Sequence, residues 1–304
     1  MPKGRRQYSL IWLIGALTVV AMAIAPIALW RAEWRRQQAI VEVLNPRFVH
    51  WSGDGSKSIG AVLQRALGPR VVSLEVAELG ADEMKLVAQL TDLEYLECDA
   101  VLTTDLAGLR PLRKLRSLRL SGPQLSDVSV LGEFRRLELL VLTDCPYLAD
   151  VRCLENCRKL RTLAIVRTMV RSISGFERLL DLERLHLVRN DVRDLQPLSN
   201  LRRLERLDLT GNPVEDISPL QGLANLRVLR LNGTLVTDLS PLRQMHVEEL
   251  VLSGMKVENE FLREFRPIIL RADFWPPEPS DPKKLVKSPS ENVERPPDEH
   301  AEQP

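Results

Sequence analysis

Residues 182–242 read LERLHLVRNDVRDLQPLSNLRRLERLDLTGNPVEDISPLQGLANLRVLRLNGTLVTDLSPL. Three leucine trios stand in this stretch at relative positions 0, +3 and +5: Leu182/Leu185/Leu187, Leu204/Leu207/Leu209 and Leu226/Leu229/Leu231. Each trio leads into a second half in the same phase: Val192-Arg-Asp-Leu-Gln-Pro-Leu198, Val214-Glu-Asp-Ile-Ser-Pro-Leu220 and Val236-Thr-Asp-Leu-Ser-Pro-Leu242. Working outward, the same spacing holds at Leu160/Leu163/Ile165, Leu137/Leu140/Leu142, Leu115/Leu118/Leu120, Leu93/Leu96/Cys98 and Val71/Leu74/Val76. It ends at Val247/Leu250/Leu252. Nine repeats result, with starts separated by 22, 22, 22, 23, 22, 22, 22 and 21 residues.

Alternating Leu-x-Leu predicts a short strand with every second side chain inward. One such unit cannot bury its own apolar face, so neighbours stack and share one core. The inward positions are 0, +3, +5, +10, +13, +16 and +19, which in the repeat from Leu204 are Leu204, Leu207, Leu209, Val214, Ile217, Leu220 and Leu223. Pro219 and Pro241 suit the first turn of a short helix, and Ser218 and Ser240 before them are expected N-caps, with Ser129 and Ser174 in the equivalent place. Both halves of the unit, in register over residues 71–265, resemble the leucine-rich-repeat family in its 22-residue class. The resemblance implies an α/β fold: a right-handed solenoid of nine turns, with a concave parallel sheet and helical turns behind. The family's Asn after the strand survives at Asn190 and Asn212, whereas Thr168, Thr234 and Cys145 take its place elsewhere, so the backbone ladder it serves is expected to be partly rebuilt.

The flanks divide the chain further. Residues 1–7 form a basic tail, and Tyr8 to Trp30 carries no charge. As a helix those residues reach about 35 Å, enough to cross a bilayer. Tyr8, Trp12, Trp30 and Trp34 stand near its ends, as interfacial rings do. A cleaved signal peptide is the competing reading, because Ala21-Met22-Ala23 has the form of a cleavage site, but the apolar run continues past it to Trp30. The expected arrangement is one transmembrane signal-anchor helix before the repeats, the N-terminus cytoplasmic and the repeat body outside. Residues 31–70 are read as a juxtamembrane stem and N-terminal cap, with Phe48–Trp51 a strand, Ser52–Gly55 a turn and Ile59–Leu67 a helix. Residues 266–275 close the far end, packing with Phe261, Leu262 and Phe265, and the proline-rich residues 276–304 are expected to be disordered. Together with the Arg31–Gln38 stem, the anchor resembles bacterial membrane-anchored members of the family.

Net charge is +7 over residues 1–70 and −3 over 71–275, so the folded body lacks the basic excess of a nucleic-acid-binding domain and no nucleic-acid partner is expected. A line of aspartates at +12, or +13 in the 23-residue repeat (Asp105, Asp127, Asp150, Asp194, Asp216, Asp238), reads as local hydrogen bonding to turn backbone rather than a cation ladder, since one carboxylate per turn lacks the oxygen density Ca²⁺ requires. Cys98 and Cys157 fall on inward positions, and a Cys145–Cys153 disulfide stays open. His186 and Asp208 share position +4 on adjacent strands; with no nucleophile beside them, an ion pair is expected rather than a catalytic dyad. Basic doublets Arg113-Lys114, Arg135-Arg136, Arg158-Lys159 and Arg202-Arg203 line one edge; they could face anionic lipid or nucleic acid, but a solvated edge paired with neighbouring glutamates is the expected reading. No enzyme activity, cofactor or metal site is expected.

The outward strand positions +2, +4 and +6 form the face through which the resemblance implies binding. They fall into an acidic zone on the first two strands, an apolar centre and a mainly basic zone beyond it. The expected contact residues are Leu139, Val141, Ala164 and Val166, with Arg184, His186, Arg206, Asp208 and Arg230 beside them. An apolar centre with a polar rim is the usual anatomy of a recognition patch. The partner expected is a protein with an apolar anchor and an acidic rim, bound by a module tethered through residues 8–30. The alternative is a structural envelope spacer without a specific ligand.

Overall fold

The computed structural model describes residues 32–44, 47–51 and 70–253. The expected Tyr8–Trp30 anchor, Ser52–Gly55 turn, Ile59–Leu67 helix, C-terminal cap and proline-rich tail fall outside the described residues. Among those described, no helix is long and apolar enough to cross a membrane.

The middle member of every apolar trio lies in a strand. After β1 (Phe48–Trp51) come β2 (Val71–Leu79), β3 (Tyr95–Val101), β4 (Ser117–Ser121), β5 (Leu139–Cys145) and β6 (Thr162–Thr168). Then follow β7 (Arg184–Val188), β8 (Arg206–Asp208), β9 (Val228–Arg230) and β10 (Glu249–Val251). The ten form one sheet in sequence order. Strands β2 to β10 run parallel, one per repeat, and each pairs with the residue one repeat on, as Leu185↔Leu207 and Leu207↔Leu229 show. The antiparallel β1 covers the open edge of β2, so the first strand is not left as a free edge.

Behind the sheet the second halves turn back. The first repeat uses an α-helix, Ala81–Val87 (α2), and the later ones use 3₁₀ turns such as Ser129–Glu133, Ser218–Gly222 and Ser240–Gln244. The expected serine N-caps are corrected here: Ser129, Ser218 and Ser240 are the first residues of their turns, and the apolar Val128, Ile217 and Leu239 before them supply no side-chain cap. The aspartates at +12 close them instead. Asp127, Asp216 and Asp238 accept the N–H of Ser129, Ser218 and Ser240 at 2.8, 2.7 and 2.8 Å. Asp105, Asp150 and Asp194 do the same for Ala107, Arg152 and Gln196. In the repeat from Leu160, Ser172 takes this place, and its hydroxyl accepts the Ser174 N–H at 3.3 Å. The carboxylate wins because it reaches the orphan amide two residues ahead and binds it more strongly than a hydroxyl.

The inward side chains form one continuous core from Ile40 to Leu250. In the repeat from Leu204 all seven inward residues are at most 1% exposed, so the phase assigned from the sequence is the observed one. At or just past the ends of β5 to β9 the backbone passes through a left-handed residue: Asp144, Arg167, Arg189, Gly211 and Gly233, with φ of 54, 53, 52, 72 and 63°. The buried polar ladder beside these bends is partly rebuilt. Asn190 Nδ2 donates to Ile165 O at 2.8 Å, and Asn212 Nδ2 donates to Leu209 O at 2.9 Å and to Leu187 O. Thr168 bonds Asn190 and the Val170 N–H, and the Thr234 hydroxyl donates to Leu231 O at 2.8 Å. The Cys145 thiol donates to Thr143 O at 3.1 Å.

The other end of the core is closed by a helix over residues 32–44 (α1). Its Gln37 and Ile40 are buried, and the Gln37 side-chain oxygen accepts the Val71 N–H at 3.1 Å. The basic stem is thus no free tether over these residues; it packs on the first turn.

Candidate functional site

Parallel pairing aligns the outward residues into rows. The +4 row runs Glu75, Glu97, Arg119, Val141, Ala164, His186, Asp208, Arg230, Val251. The +2 row runs Ser73, Tyr95, Ser117, Leu139, Thr162, Arg184, Arg206, Val228, Glu249. Strands stack about 4.8 Å apart, and the turns behind are wider, so the sheet takes the concave side. The sequence-derived residues therefore share one surface.

The apolar centre differs from expectation in exposure. Ala164 and Val166 are each 2% exposed, Leu139 6% and Val188 8%. With Val141 against them, Ala164, Val166 and Val188 make a second small apolar cluster on the outer side of the sheet. Side chains one strand apart shield one another on the inside of a curve, so these residues form a floor, and only Val141 of the four expected centre residues stays half-exposed. Val188 belongs to this floor and was missed, although its phase, +6, places it on the outward face.

The acidic flank is largely self-engaged. Tyr95 donates its hydroxyl to Glu97, Arg119 lies 3.8 Å from Glu97, and Arg47 pairs with Asp99. Burial raises the Glu97 carboxyl pKa against the pull of Arg119, and Glu75 and Asp99 raise it further.

The basic flank is differently built. Asp208 is 3% exposed; its Oδ1 accepts the Thr210 N–H at 2.9 Å and its Oδ2 lies 4.0 Å from Arg230. Arg230 also reaches Glu249 at 3.1 Å. The carboxylate of the expected His186–Asp208 surface pair is thus buried, and it lies against Arg230 as well. His186 stands between Ala164 and Asp208, and burial pushes its pKa below the usual histidine value. Asp208 opposes that fall, while Arg230, Arg206 and Arg184 add to it. Arg184 and Arg206 are exposed register partners, and neither makes an ion pair among the described residues. The arrangement offers a shallow apolar floor, half-open at Val141, beside two uncommitted guanidinium groups, which fork to carboxylates or phosphates.

Other candidates resolve into structure. The four cysteines are free, and burial pushes the thiols of Cys98, Cys145 and Cys153 up to about 11 and that of Cys157 to about 12. Thiols so protonated at neutral pH are poor nucleophiles. An open groove of about 740 Å³ on the turn side is lined by Asp127, Asp150 and Glu177, among others. The first two carboxylates serve turn amides and the third serves the Gly175 N–H at 2.7 Å, so they are committed to backbone.

Residues 180–222 and 202–244 each match the family described as Leucine Rich repeats (2 copies). Among solved structures the chain is similar to an internalin C2 from Listeria monocytogenes, at 28% identity and a TM-score of 0.53, over 62% of this chain and 81% of that one. It is also similar to an internalin, inlF, of the same organism, at 20% identity and a TM-score of 0.49 over 75% and 88% of the two chains. A Leptospira interrogans LRR protein aligns at 17% identity and a TM-score of 0.47 over 61% and 62%. No curated protein matches the sequence.

Proposed function

We propose, from the premise that this chain is a leucine-rich-repeat protein, that it is a membrane-tethered recognition module whose partner is a protein docking on the sheet face. One observation carries the reading. The exposed Arg184 and Arg206 stand side by side without an ion pair, next to the floor of Val141, Ala164, Val166 and Val188. Elsewhere on the same face opposite charges meet, as at Glu97–Arg119 and Arg230–Glu249, while Glu75 beside Glu97 makes no ion pair among the described residues. A solenoid serving only as a spacer has no reason to leave one like-charge pair uncompensated beside its apolar strip. The partner that fits brings a carboxylate-bearing segment to the arginines and a small apolar side chain to Val141. The Tyr8–Trp30 segment supports the tether, and the repeat body is placed outside the cytoplasm on that reading. Catalysis forms no part of the proposal.

The test is capture with the detergent-solubilised full chain as bait, beside the Arg184→Glu/Arg206→Glu variant. Partners held by the wild type and lost by the variant support the reading. Partners retained by both sink the sheet-face site, and no stoichiometric partner favours the spacer.

A further inference from the structure

The doublets on the edge where strands begin are not alike. Arg113 and Arg110 share Glu133 at 2.5 and 3.1 Å. Lys114 and Arg70 converge on Asp92, and Arg203 meets Asp181 at 2.6 Å. Between these neutralised stretches stand Arg135, Arg136, Arg158 and Lys159, all exposed and making no ion pair among the described residues. The carboxylates near them are engaged elsewhere: Glu133 as above, Glu138 with Arg116 at 2.8 Å, and Glu155 with Arg178 at 3.5 Å. Two adjacent turns thus present four uncompensated cations on one edge.

A second observation says what that edge faces. Helix α1 follows the Tyr8–Trp30 segment almost directly, and it joins the solenoid on this same edge. Arg36 donates to the Gln89 side-chain oxygen at 2.7 and 3.2 Å, and Gln37 holds the first amide of β2. Gln89 lies in the turn that leads into the second repeat, just before Asp92 of the edge row. Arg136 and Lys159 occupy the same row two and three strands beyond Asp92, about 10 and 15 Å away at the spacing of paired strands.

We propose that this edge rests on an anionic bilayer surface, with Arg135, Arg136, Arg158 and Lys159 on acidic lipid headgroups. The inference rests on reading Tyr8–Trp30 as a membrane anchor. An anchor emerging at one end of the edge brings the four cations within reach of the headgroup plane, where juxtamembrane basic clusters are attracted to acidic lipid. A seat on this edge also leaves the sheet face, with Arg184 and Arg206, open to a partner. Nucleic acid fits less well, because the body as a whole is net negative over residues 71–275.

The experiment uses the full chain with Cys153→Ser and a donor dye on Asn156→Cys, reconstituted into vesicles carrying a headgroup-labelled acceptor lipid. One set is phosphatidylcholine and the other contains roughly one-third phosphatidylglycerol, an anionic fraction that gives the surface field required. Energy transfer is expected to be at least about twofold higher on the anionic vesicles at low salt and to fall to the zwitterionic level in 1 M salt, where the screening length is about 3 Å. The variant R135E/R136E/R158E/K159E should show the zwitterionic level throughout. Equal transfer on both vesicles, or an increment that survives the charge reversal, overturns the proposal. Flotation separates the two readings. A chain that floats with zwitterionic vesicles but shows no anionic increment keeps its anchor and loses the edge contact. A chain that does not float with them loses the anchor; flotation on anionic vesicles that needs the four cations then still supports the edge, and its absence overturns it.

Discussion

Arg184 and Arg206 are Cα register partners on adjacent parallel strands, so two exposed cationic side chains rise side by side from one face. Like charges directly opposite are destabilising, and opposite charges in such pairs contribute roughly 0.2–1 kcal/mol. Arg206→Glu is therefore expected to raise stability by roughly 0.5 kcal/mol while slowing association with the partner and flattening its salt dependence. Denaturant melts and binding kinetics on the same variant read both effects. A variant that loses stability would show that Arg206 is structurally compensated, which removes the argument for a site.

The alternation along β8 gives a sharper structural test. Leu207 is 1% exposed, whereas Arg206, one residue earlier, points outward. Leu207→Asp buries an unpaired carboxylate among leucines and should cost several kcal/mol. Arg206→Asp should change stability by less than about 1 kcal/mol in either direction. Thermal melts decide, and equal losses contradict the observed phase.

The turn caps separate two side chains that stand two residues apart. Asp216 accepts the Ser218 N–H at 2.7 Å and the Ser218 hydroxyl at 2.8 Å. Asp216→Ala leaves that amide without its acceptor and should cost about 1 kcal/mol, the scale of a lost helix cap. Ser218→Ala removes only an exposed hydroxyl and should cost clearly less. Comparable losses for the two would mean that the carboxylate is not what holds the turn.

These outcomes bear on what the chain spells out. The solenoid was legible because its signal repeats: seven inward positions recur with every turn, and each deviation is outvoted by its neighbours. The aspartates at +12 were assigned to turn backbone from chemistry alone, and that is where Asp127, Asp216 and Asp238 act. The caps were misassigned to Ser218 and Ser240 because capping rules for α-helices were carried to 3₁₀ turns, whose first free amide lies two residues after the aspartate. Position on the sheet face was legible for Ala164 and Val166, but exposure was not. Periodicity says which way a side chain points, whereas the curvature of stacked strands decides how much water it meets. The packing of the 32–44 helix on the first turn is masked in the sequence by its charges, since its contact side holds only Gln37, Ile40, Val41 and Leu44 among polar neighbours.

The buried asparagines can be graded against their substitutes. Asn212 is 1% exposed; its side chain accepts the Val192 N–H at 3.1 Å and donates to Leu209 O and Leu187 O. Asn212→Ala strands the Val192 N–H and Leu187 O, while Leu209 O keeps the Asn212 N–H at 3.2 Å, and an unsatisfied buried group costs about 1–3 kcal/mol. A loss of roughly 3 kcal/mol is expected. Thr234→Ala, whose hydroxyl donates to Leu231 O at 2.8 Å, should lose roughly 1 kcal/mol. Urea titration of both variants checks the ranking, and equal losses would show that threonine rebuilds the ladder in full.

The last expectation concerns pH. Burial lowers the His186 pKa from its ordinary value of 6.5, and Arg230, Arg206 and Arg184 lower it further against Asp208. The folded chain therefore holds His186 neutral in a range where the unfolded chain protonates it. In that range the unfolded state binds more protons, so stability rises with pH. The contribution is complete above about 6.5 and declines as pH falls from there towards the depressed folded value. His186→Gln keeps a polar side chain of similar reach and removes the proton site. Subtracting its stability from that of the wild type between pH 7.5 and 5 cancels the carboxylates common to both, such as Asp92 and Asp238, whose lowered pKa values act at more acid pH. The wild type is expected to lose stability relative to the variant as pH falls through this window. A flat difference would mean that His186 titrates alike in the folded and unfolded chains, and the buried setting between Ala164 and Asp208 would have to be abandoned.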